Sequence, residues 1–300
     1  MIFIASDPSF AHPLPEGHRF PMLKYELLPR QLLHEGTCTA EQFFSPNLVD
    51  LGHVLSTHDE AYVQRLLNEE LHPKEVRKIG FPLSTALVER ELRIAQGTID
   101  GALKAIENGV ALNIAGGTHH AYPDRGEAFC LLNDQAIAAN YLLNYTSTKR
   151  ILIVDLDVHQ GNGTAVIFQN KPEVFTFSMH GKANYPYKKE ASDLDVELER
   201  GTDDNTYLQL LQEQLEVLFE RVQPDFIFYL SGVDILATDK LGTLGLTLEG
   251  CKKRDALVLQ MAYDKGVPVQ CSMGGGYSKD IRVLVEAHAN TYRIAHSIYG

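Results

Sequence analysis

The feature that most limits how this chain can fold is a short apolar run, residues 151–154, that ends in polar residues. The run is mostly β-branched, which predicts a strand buried on both faces. Asp155, Asp157 and His159 follow at alternate positions, so in an extended chain they share one face, roughly 6.6 Å apart at the backbone. Two carboxylates and an imidazole on one face are typical of a metal site.

Other apolar runs predict further buried strands, at residues 110–115, 174–177, 226–230 and 267–271. Between several of them apolar residues recur at spacings of three and four, which predicts amphipathic helices over residues 92–106 and 208–222. This β-α-β alternation predicts an α/β fold with a mainly parallel sheet. Periodicity alone leaves open a three-layer α/β/α sandwich and a closed barrel. No linker or repeat divides the sequence, so we expect residues 1–300 to form a single catalytic domain.

Composition excludes several classes of function. A net charge of −12 disfavours direct nucleic-acid binding and is compatible with cationic substrates or partners. No segment approaches the run of about 20 apolar residues that a membrane span requires. No glycine motif has the Gly-Lys-Ser/Thr of a P-loop, and Gly161-x-Gly163 lacks the third glycine of a dinucleotide-binding motif. Residues 1–8 predict a first strand and not a signal peptide, so a cytoplasmic location is expected.

The four cysteines predict reduced thiols. They are widely spaced and include no Cys-x-x-Cys pair, which disfavours both a disulfide framework and a thiolate zinc site. These residues are Cys38, Cys130, Cys251 and Cys271.

Polar motifs follow four of the predicted strands. The run 110–115 leads into two glycines and the pair His119 and His120, 226–230 leads to Asp234, and 267–271 leads through three glycines to Tyr277. Because the carboxyl ends of parallel strands meet at one sheet edge, we expect these groups to gather there with the acidic cluster.

The gathered residue types indicate metal-assisted hydrolysis. Asp157, His159 and Asp234 would supply three N/O ligands, which leaves one position open on a catalytic zinc. The alternative is that these residues are surface charges or turn residues. The flanking runs are too apolar for an exposed edge strand, however, and a buried carboxylate costs several kcal/mol of stability unless it is paired. Spacing does not decide between Asp155 and Asp157 as the ligand.

Proton transfer and oxyanion binding also have candidates. One of His119 and His120 could take a proton from water and return it to a leaving amine, and spacing does not say which. The phenol of Tyr277 could donate a hydrogen bond to an oxyanion. His180, just past the run 174–177, is expected to line the pocket entrance.

The ordered motifs resemble the zinc-dependent histone deacetylase superfamily, whose fold is arginase-like. The likeness covers nearly the whole chain, through residues 12–22, 57–63, 115–121, 129–134, 155–164, 231–234, 241–247 and 274–277. The opening Arg19-Phe20-Pro21 is most similar to the bacterial and class IV-like branch. The resemblance implies a three-layer α/β/α sandwich.

The resemblance also implies roles for the metal-binding residues. Asp157, His159 and Asp234 would hold Zn²⁺, with Fe²⁺ as the other metal to consider. Asp155 would orient His119. With backbone groups near His159, Ser178 and Met179, Asp155 would also help to hold a structural K⁺.

Catalytic and tunnel residues are implied in the same way. His120 would be the general base, His119 its electrostatic partner, and Tyr277 would polarise the acyl oxygen. The acyl-lysine tunnel would be lined by Phe129, Gly275 and His180.

Two departures from the family pattern bear on chemistry and selectivity. Asn162 stands where many members place Asp beside the second histidine, so the pKa of His120 should be less elevated. Residues 181–185 replace a Phe-bearing loop that often forms the second tunnel wall, so acyl-chain selectivity does not carry over.

The sequence therefore predicts a zinc-dependent amidohydrolase that removes acetyl or longer acyl groups from acylated lysine side chains of proteins. An acetylpolyamine hydrolase, or another hydrolase of small acylated amines, is the main alternative. A manganese ureohydrolase is less expected, because two metals would need more carboxylates. A non-catalytic acyl-lysine binder is also less expected, because every catalytic residue type is present.

Overall fold

Eight parallel strands form one open sheet in the computed structural model, which describes residues 1–300. The strands are β1 (Phe3–Ala5), β2 (Phe43–Phe44), β3 (Val110–Asn113), β4 (Ile151–Asp155), β5 (Val174–Gly181), β6 (Leu194–Leu198), β7 (Phe226–Leu230) and β8 (Val269–Ser272). Their order is β2-β1-β3-β8-β7-β4-β5-β6. Because β2 and β6 are free edges, the sheet is not a closed barrel.

Ten α-helices form the crossovers and cover the sheet. They are α1 (Lys24–His34), α2 (Leu51–Leu55), α3 (Glu60–Leu67), α4 (Pro73–Ile79), α5 (Thr85–Asn108), α6 (Asp134–Tyr145), α7 (Asn162–Phe168), α8 (Asp204–Val222), α9 (Leu248–Asp264) and α10 (Ile281–Tyr299). One group packs α5 against α6, and the other packs α1 and α9 against α10 and α8 against α9. The predicted three-layer α/β/α sandwich is confirmed. None of these helices is long and apolar enough to span a membrane.

Local sequence explains where the two predicted helices begin. The Ser84 side chain accepts a hydrogen bond from the Leu87 N–H at the start of α5, and the Asp203 side chain accepts one from Thr206 at the start of α8. Such N-caps satisfy amide groups that have no partner within the helix. The apolar faces predicted over residues 92–106 and 208–222 lie within these helices.

The strand register brings the chemistry-bearing segments to one level. Asn113 pairs with Ser272, Ser272 with Leu230, Leu230 with Asp155, and Asp155 with Ser178. The four strands β3, β8, β7 and β4 therefore end beside one another, whereas β5 continues past this level. The motifs that follow β3, β4, β7 and β8 consequently emerge at one edge of the sheet.

Strand β5 is longer than its apolar run predicts. The edge strand β6, whose sequence alternates apolar and polar residues, pairs with β5 from Phe177↔Leu194 to Gly181↔Leu198. This pairing extends β5 beyond Phe177 to Gly181, so His180 lies inside a strand. The sequence did not predict β2, because its apolar run is only two residues long, or β6, because its residues alternate between apolar and polar.

Candidate active site

Asp157, His159 and Asp234 form a compact buried cluster. Asp157 and His159 follow β4 and Asp234 follows β7, and one potential ligand atom from each lies within 4.8 Å of the others. The His159 Nδ1 atom is 2.9 Å from Asp157 Oδ1 and 3.3 Å from Asp234 Oδ2. The spacing that suggested a metal site therefore corresponds to a real convergence of side chains.

The electrostatics of this cluster fit a bound cation. The Oδ2 atom of Asp234 is buried and accepts no hydrogen bond. Burial and the neighbouring Asp157 carboxylate raise the pKa of Asp234 to about 7. A buried carboxylate oxygen without a donor is costly unless a positive charge faces it. The two carboxylates and one imidazole are an N/O donor set without thiolate, which suits a catalytic divalent metal.

Backbone amides hold the two carboxylates in place. The Val158 N–H donates to Asp234 Oδ1 at 2.9 Å, and the Gly275 N–H donates to Asp157 Oδ2 at 2.9 Å. A Cβ atom at position 275 would clash with the carboxylate oxygens of both aspartates. Glycine is therefore required where the segment after β8 passes behind the cluster.

Asp155 is not part of the cluster, whereas Asp157 is. Strand β4 ends at Asp155, so Asp157 and His159 lie beyond the strand and the alternation expected of an extended chain does not continue. The Asp155 side chain instead accepts from His119 Nδ1 at 2.6 Å and from the Asp157 N–H at 3.1 Å.

The two adjacent histidines have different partners. Their ring centroids are 4.0 Å apart, yet His119 Nδ1 contacts the Asp155 carboxylate while His120 Nδ1 lies 2.6 Å from Asn162 Oδ1. The Asn162 Nδ2 group donates to Tyr122 Oη at 2.9 Å, which turns its oxygen towards His120. Because that oxygen can only accept, His120 carries its proton on Nδ1 and leaves Nε2 free as a base.

These partners move the two pKa values in opposite directions. Burial alone would lower the pKa of His119, but the charge and hydrogen bond of Asp155 raise it above its ordinary value. Burial, together with the rings of His119 and His159, lowers the pKa of His120 well below its ordinary value. One imidazole whose protonated form is favoured, beside another whose neutral form is favoured, is the arrangement expected of an electrostatic group beside a general base.

Tyr277 faces the same space from the loop after β8. Its ring lies 6.4 Å from that of His159 and 6.0 Å from that of Phe129, measured between centroids. Burial, followed by the charges of Asp157 and Asp234, raises the pKa of Tyr277 well above its ordinary value. The phenol therefore keeps its proton and can act as a hydrogen-bond donor.

Two cavities share His120, His159 and Tyr277 among their lining residues. A small inner one of ≈ 40 Å³ is lined by His119, Asp157 and Gly275, and a larger outer one of ≈ 400 Å³ opens from His120, His159 and Tyr277. Phe129, with a left-handed backbone (φ 69°), lines both.

The structure does not place His180 in either cavity. His180 is fully buried within β5, and its Nδ1 lies 2.9 Å from Ser178 Oγ. The expectation that it lines the pocket entrance is wrong. The pairing of β6 with β5 buries this position, and the end of the apolar run gave no sign of it.

Tyr185 is a wall residue that the sequence did not reveal. It lines the outer cavity, its ring lies 5.0 Å from that of His120, and its hydroxyl donates to Glu127. The loop at residues 181–185 therefore supplies an aromatic side chain after all. The only available signal was that Tyr185 is the sole aromatic residue in that loop.

Comparisons with known proteins agree with this architecture. The sequence profile of a family described as the histone deacetylase domain matches residues 18–292. An uncharacterised protein of Picosynechococcus sp. is 47% identical over 292 residues, covering 97% of each chain. Histone deacetylase 2 of Arabidopsis thaliana is 31% identical over 287 residues, covering 92% of this chain and 74% of that protein. Acetoin utilization protein AcuC of Staphylococcus aureus is 29% identical over 300 residues, covering 92% of this chain and 77% of that protein.

Solved structures show the same fold. The crystal structure of an HDAC homologue complexed with SAHA superposes with a TM-score of 0.85 at 24% identity, covering 99% of this chain and 84% of that one. An HDAC homologue from Aquifex aeolicus gives a TM-score of 0.83 at 24% identity, covering 98% and 84% of the two chains.

Proposed function

The chain belongs to the histone deacetylase family, and from this we propose that it is a zinc-dependent amidohydrolase that removes acyl groups from acylated lysine side chains of proteins. One observation carries the proposal. Two adjacent imidazoles, one held by a carboxylate and the other by an amide oxygen, and the phenol of Tyr277 surround a buried three-ligand cluster at the end of an aromatic-walled cavity.

The metal would be held by Asp157, His159 and Asp234. When bound there, Zn²⁺ would supply Lewis-acid chemistry for amide hydrolysis. Fe²⁺ would use the same donors. We also propose a structural K⁺ beside Asp155, and this part of the proposal rests on the family resemblance alone.

His120 performs the proton transfers. Its free Nε2 accepts a proton from the attacking water, and the protonated ring then donates that proton to the departing amine nitrogen as the amide C–N bond breaks. The products are a carboxylate and a free amine. His119, held in its charged form by Asp155, stabilises the negative charge that develops during attack.

Tyr277 and the cavity walls act on the rest of the substrate. The Tyr277 hydroxyl donates a hydrogen bond to the amide oxygen as it gains charge. Phe129 and Tyr185 would flank the aliphatic part of the acyl-lysine side chain. One solved HDAC homologue is complexed with SAHA, and we expect SAHA to compete with substrate in this cavity.

A turnover panel tests the proposal. The zinc-loaded protein would be assayed on lysine peptides carrying acetyl to long-chain acyl groups, and on acetylated polyamines. Tyr277→Phe and His120→Ala should lower kcat by about 10²-fold or more, while zinc content measured by mass spectrometry stays at one ion per chain. Tyr145→Phe, at an exposed tyrosine of α6, is the matched control and should keep full activity.

Each other result has a defined meaning. Full activity in either active-site variant would refute the role given to that residue. A zinc-loaded protein that is silent across the panel would favour a non-catalytic acyl-lysine binder. Preferential turnover of acetylated polyamines would favour the small-amine alternative, and two metal ions per chain would favour a ureohydrolase.

A further inference from the structure

The mouth of the outer cavity carries three cationic side chains and no carboxylate side chain. Arg19, Lys78 and Arg200 line the ≈ 400 Å³ space, and no Asp or Glu is among its lining residues. The chain as a whole has 39 acidic and 27 basic residues. The positive charge of the mouth therefore contrasts with the net negative charge of the chain, so the net charge does not predict which ligands enter this site.

The charges at the mouth are largely free to meet a ligand. Arg19 and Arg200 are exposed and form no ion pair, and the Arg19 guanidinium lies 4.8 Å from the centroid of the Phe129 ring. Lys78 forms one ion pair, with Glu127 at 3.8 Å, but its side chain is 64% exposed.

Glu127 does not neutralise the mouth. Its side chain is only 12% exposed, and it already accepts from Arg125 at 2.9 Å and from the Tyr185 hydroxyl. Lys182, on the neighbouring loop, differs because it pairs with Glu199 at 3.0 Å and does not line the cavity.

The orientation of the substrate decides which part of it meets these cations. The inner end of the outer cavity is formed by His120, His159 and Tyr277. On the proposed function, the acyl carbonyl lies at these residues, so the amine portion of the substrate extends past the mouth.

We propose that the mouth selects substrates whose amine portion carries an anionic group, a carboxylate or phosphate that reaches Arg19, Lys78 and Arg200. This inference rests on the proposed function and deepens it. An acidic residue beside the acylated lysine of a protein is the source that best matches that function. A small acylated amine with its own carboxylate is the other source, and polycationic amines would be repelled.

Acetyl-lysine peptides of equal length, with Glu, Gln or Lys on both sides of the modified residue, test the proposal on the full-length zinc-loaded protein. We expect kcat/KM to fall about threefold from Glu to Gln and again from Gln to Lys, as exposed ion pairs allow. The preference should shrink at high salt, since exposed charges are screened. Arg19→Gln should reduce the Glu-to-Lys ratio, and Arg200→Glu should invert it.

Lys182→Gln is the matched control, because it removes a nearby cation that is already paired. It should keep both the activity and the ratio. To distinguish the two sources of the anion, Nα-acetyl-Nε-acetyl-lysine with a free carboxylate is compared with its amide. If the free carboxylate raises kcat/KM over the amide by more than Glu raises it over Gln in the peptides, small acylated amines are the substrates that the mouth selects.

Fluorescence anisotropy of the same peptides gives a readout that does not need turnover. Tighter binding of the Glu peptide without any turnover would refute hydrolysis and support the anionic preference. Equal kcat/KM and equal binding for the Glu, Gln and Lys peptides, or a preference for Lys, would overturn the inference while leaving the hydrolase intact.

Discussion

The Nδ1 atom of His120 lies 2.6 Å from Oδ1 of Asn162, so the proposed general base is oriented by an amide and not by a carboxylate. An amide oxygen holds the ring in the tautomer with a free Nε2, but it adds no negative charge. Burial and the neighbouring rings of His119 and His159 therefore keep the pKa of His120 low. The neutral form of the base is therefore favoured.

Asn162→Asp should move the acidic limb of the pH profile of kcat/KM to higher pH. A carboxylate next to His120 favours its protonated form and raises its pKa. Since the base must be neutral to accept a proton, activity is lost as pH falls through that pKa, and the loss begins earlier in the variant. The profile is measured on an acetyl-lysine peptide from pH 5 to 9.

Asn140→Asp is the control for this change, because Asn140 is a buried amide on α6 that contacts Thr57 and Lys171 and not the histidines. Its acidic limb should match that of the unmodified protein. An unshifted limb in Asn162→Asp would contradict the role of Asn162.

Removal of the metal should lower thermal stability. The buried carboxylates of Asp157 and Asp234 lie close together, and a cation that binds only the folded chain stabilises it by about 4 kcal/mol at 1,000 times its Kd. Treatment with EDTA should therefore lower Tm, and added Zn²⁺ should restore it. Scanning calorimetry of Asp234→Asn should show no zinc-dependent shift, whereas Asp264→Asn, at an exposed position of α9, should keep it. A zinc-dependent Tm in Asp234→Asn would show that the ion binds elsewhere.

His58 should make folding stability fall below neutral pH. Its Nδ1 contacts the Tyr122 carbonyl at 2.9 Å and its Nε2 accepts from the Asn133 N–H at 3.0 Å. Burial lowers the pKa of His58 to about 4, against about 6.5 in the unfolded chain. As pH falls from 6.5 towards 4 the unfolded chain binds the proton first, so stability is lost in that window, by about 2 kcal/mol between pH 7 and pH 5.

Urea denaturation at pH 7 and pH 5 measures this loss. His58→Gln should lose about 2 kcal/mol less than the unmodified protein over the interval. The exposed His34→Gln should behave like the unmodified protein. Equal pH dependence in His58→Gln and His34→Gln would refute the assignment.

Arg254 should support metal binding without touching the metal. Its buried guanidinium donates to the carbonyls of Gly232 at 2.7 Å and Ser231 at 3.2 Å, just before Asp234, and to that of Leu156 at 3.3 Å, just before Asp157. It also pairs with the buried Asp255 at 2.8 Å.

Arg254→Met should lower the free energy of unfolding by about 3–5 kcal/mol, because it leaves the Asp255 carboxylate buried without its cationic partner. Zinc affinity, measured by competition with a chromophoric chelator, should also fall. Arg254→Lys, which keeps the charge but not the forked geometry, should recover stability more fully than zinc affinity. Unchanged zinc affinity in a folded Arg254→Met protein would limit Arg254 to a structural role.

Most of the central strands could be predicted from the sequence, because parallel strands that are buried on both faces consist of continuous apolar runs. The runs at 151–154 and 226–230 became β4 and β7 with at most one residue of difference. Edge strand β6 could not be recognised in this way, since one side of its pairing is open and its residues alternate. That omission led directly to the wrong position for His180.

The sequence by itself determined which residue types gather at the sheet edge, since each motif follows an apolar run and parallel strands end together. Residue spacing did not separate Asp155 from Asp157, and the family resemblance implied different roles for them without a physical reason. The tertiary structure supplies that reason, because β4 ends at Asp155 and the chain then turns Asp157 towards Asp234 while Asp155 meets His119. Only the tertiary structure brought Arg19, Lys78 and Arg200 to one mouth. These residues are far apart in the chain, and a local charge pattern cannot predict a meeting that depends on how helix α4 and two loops pack around a cavity.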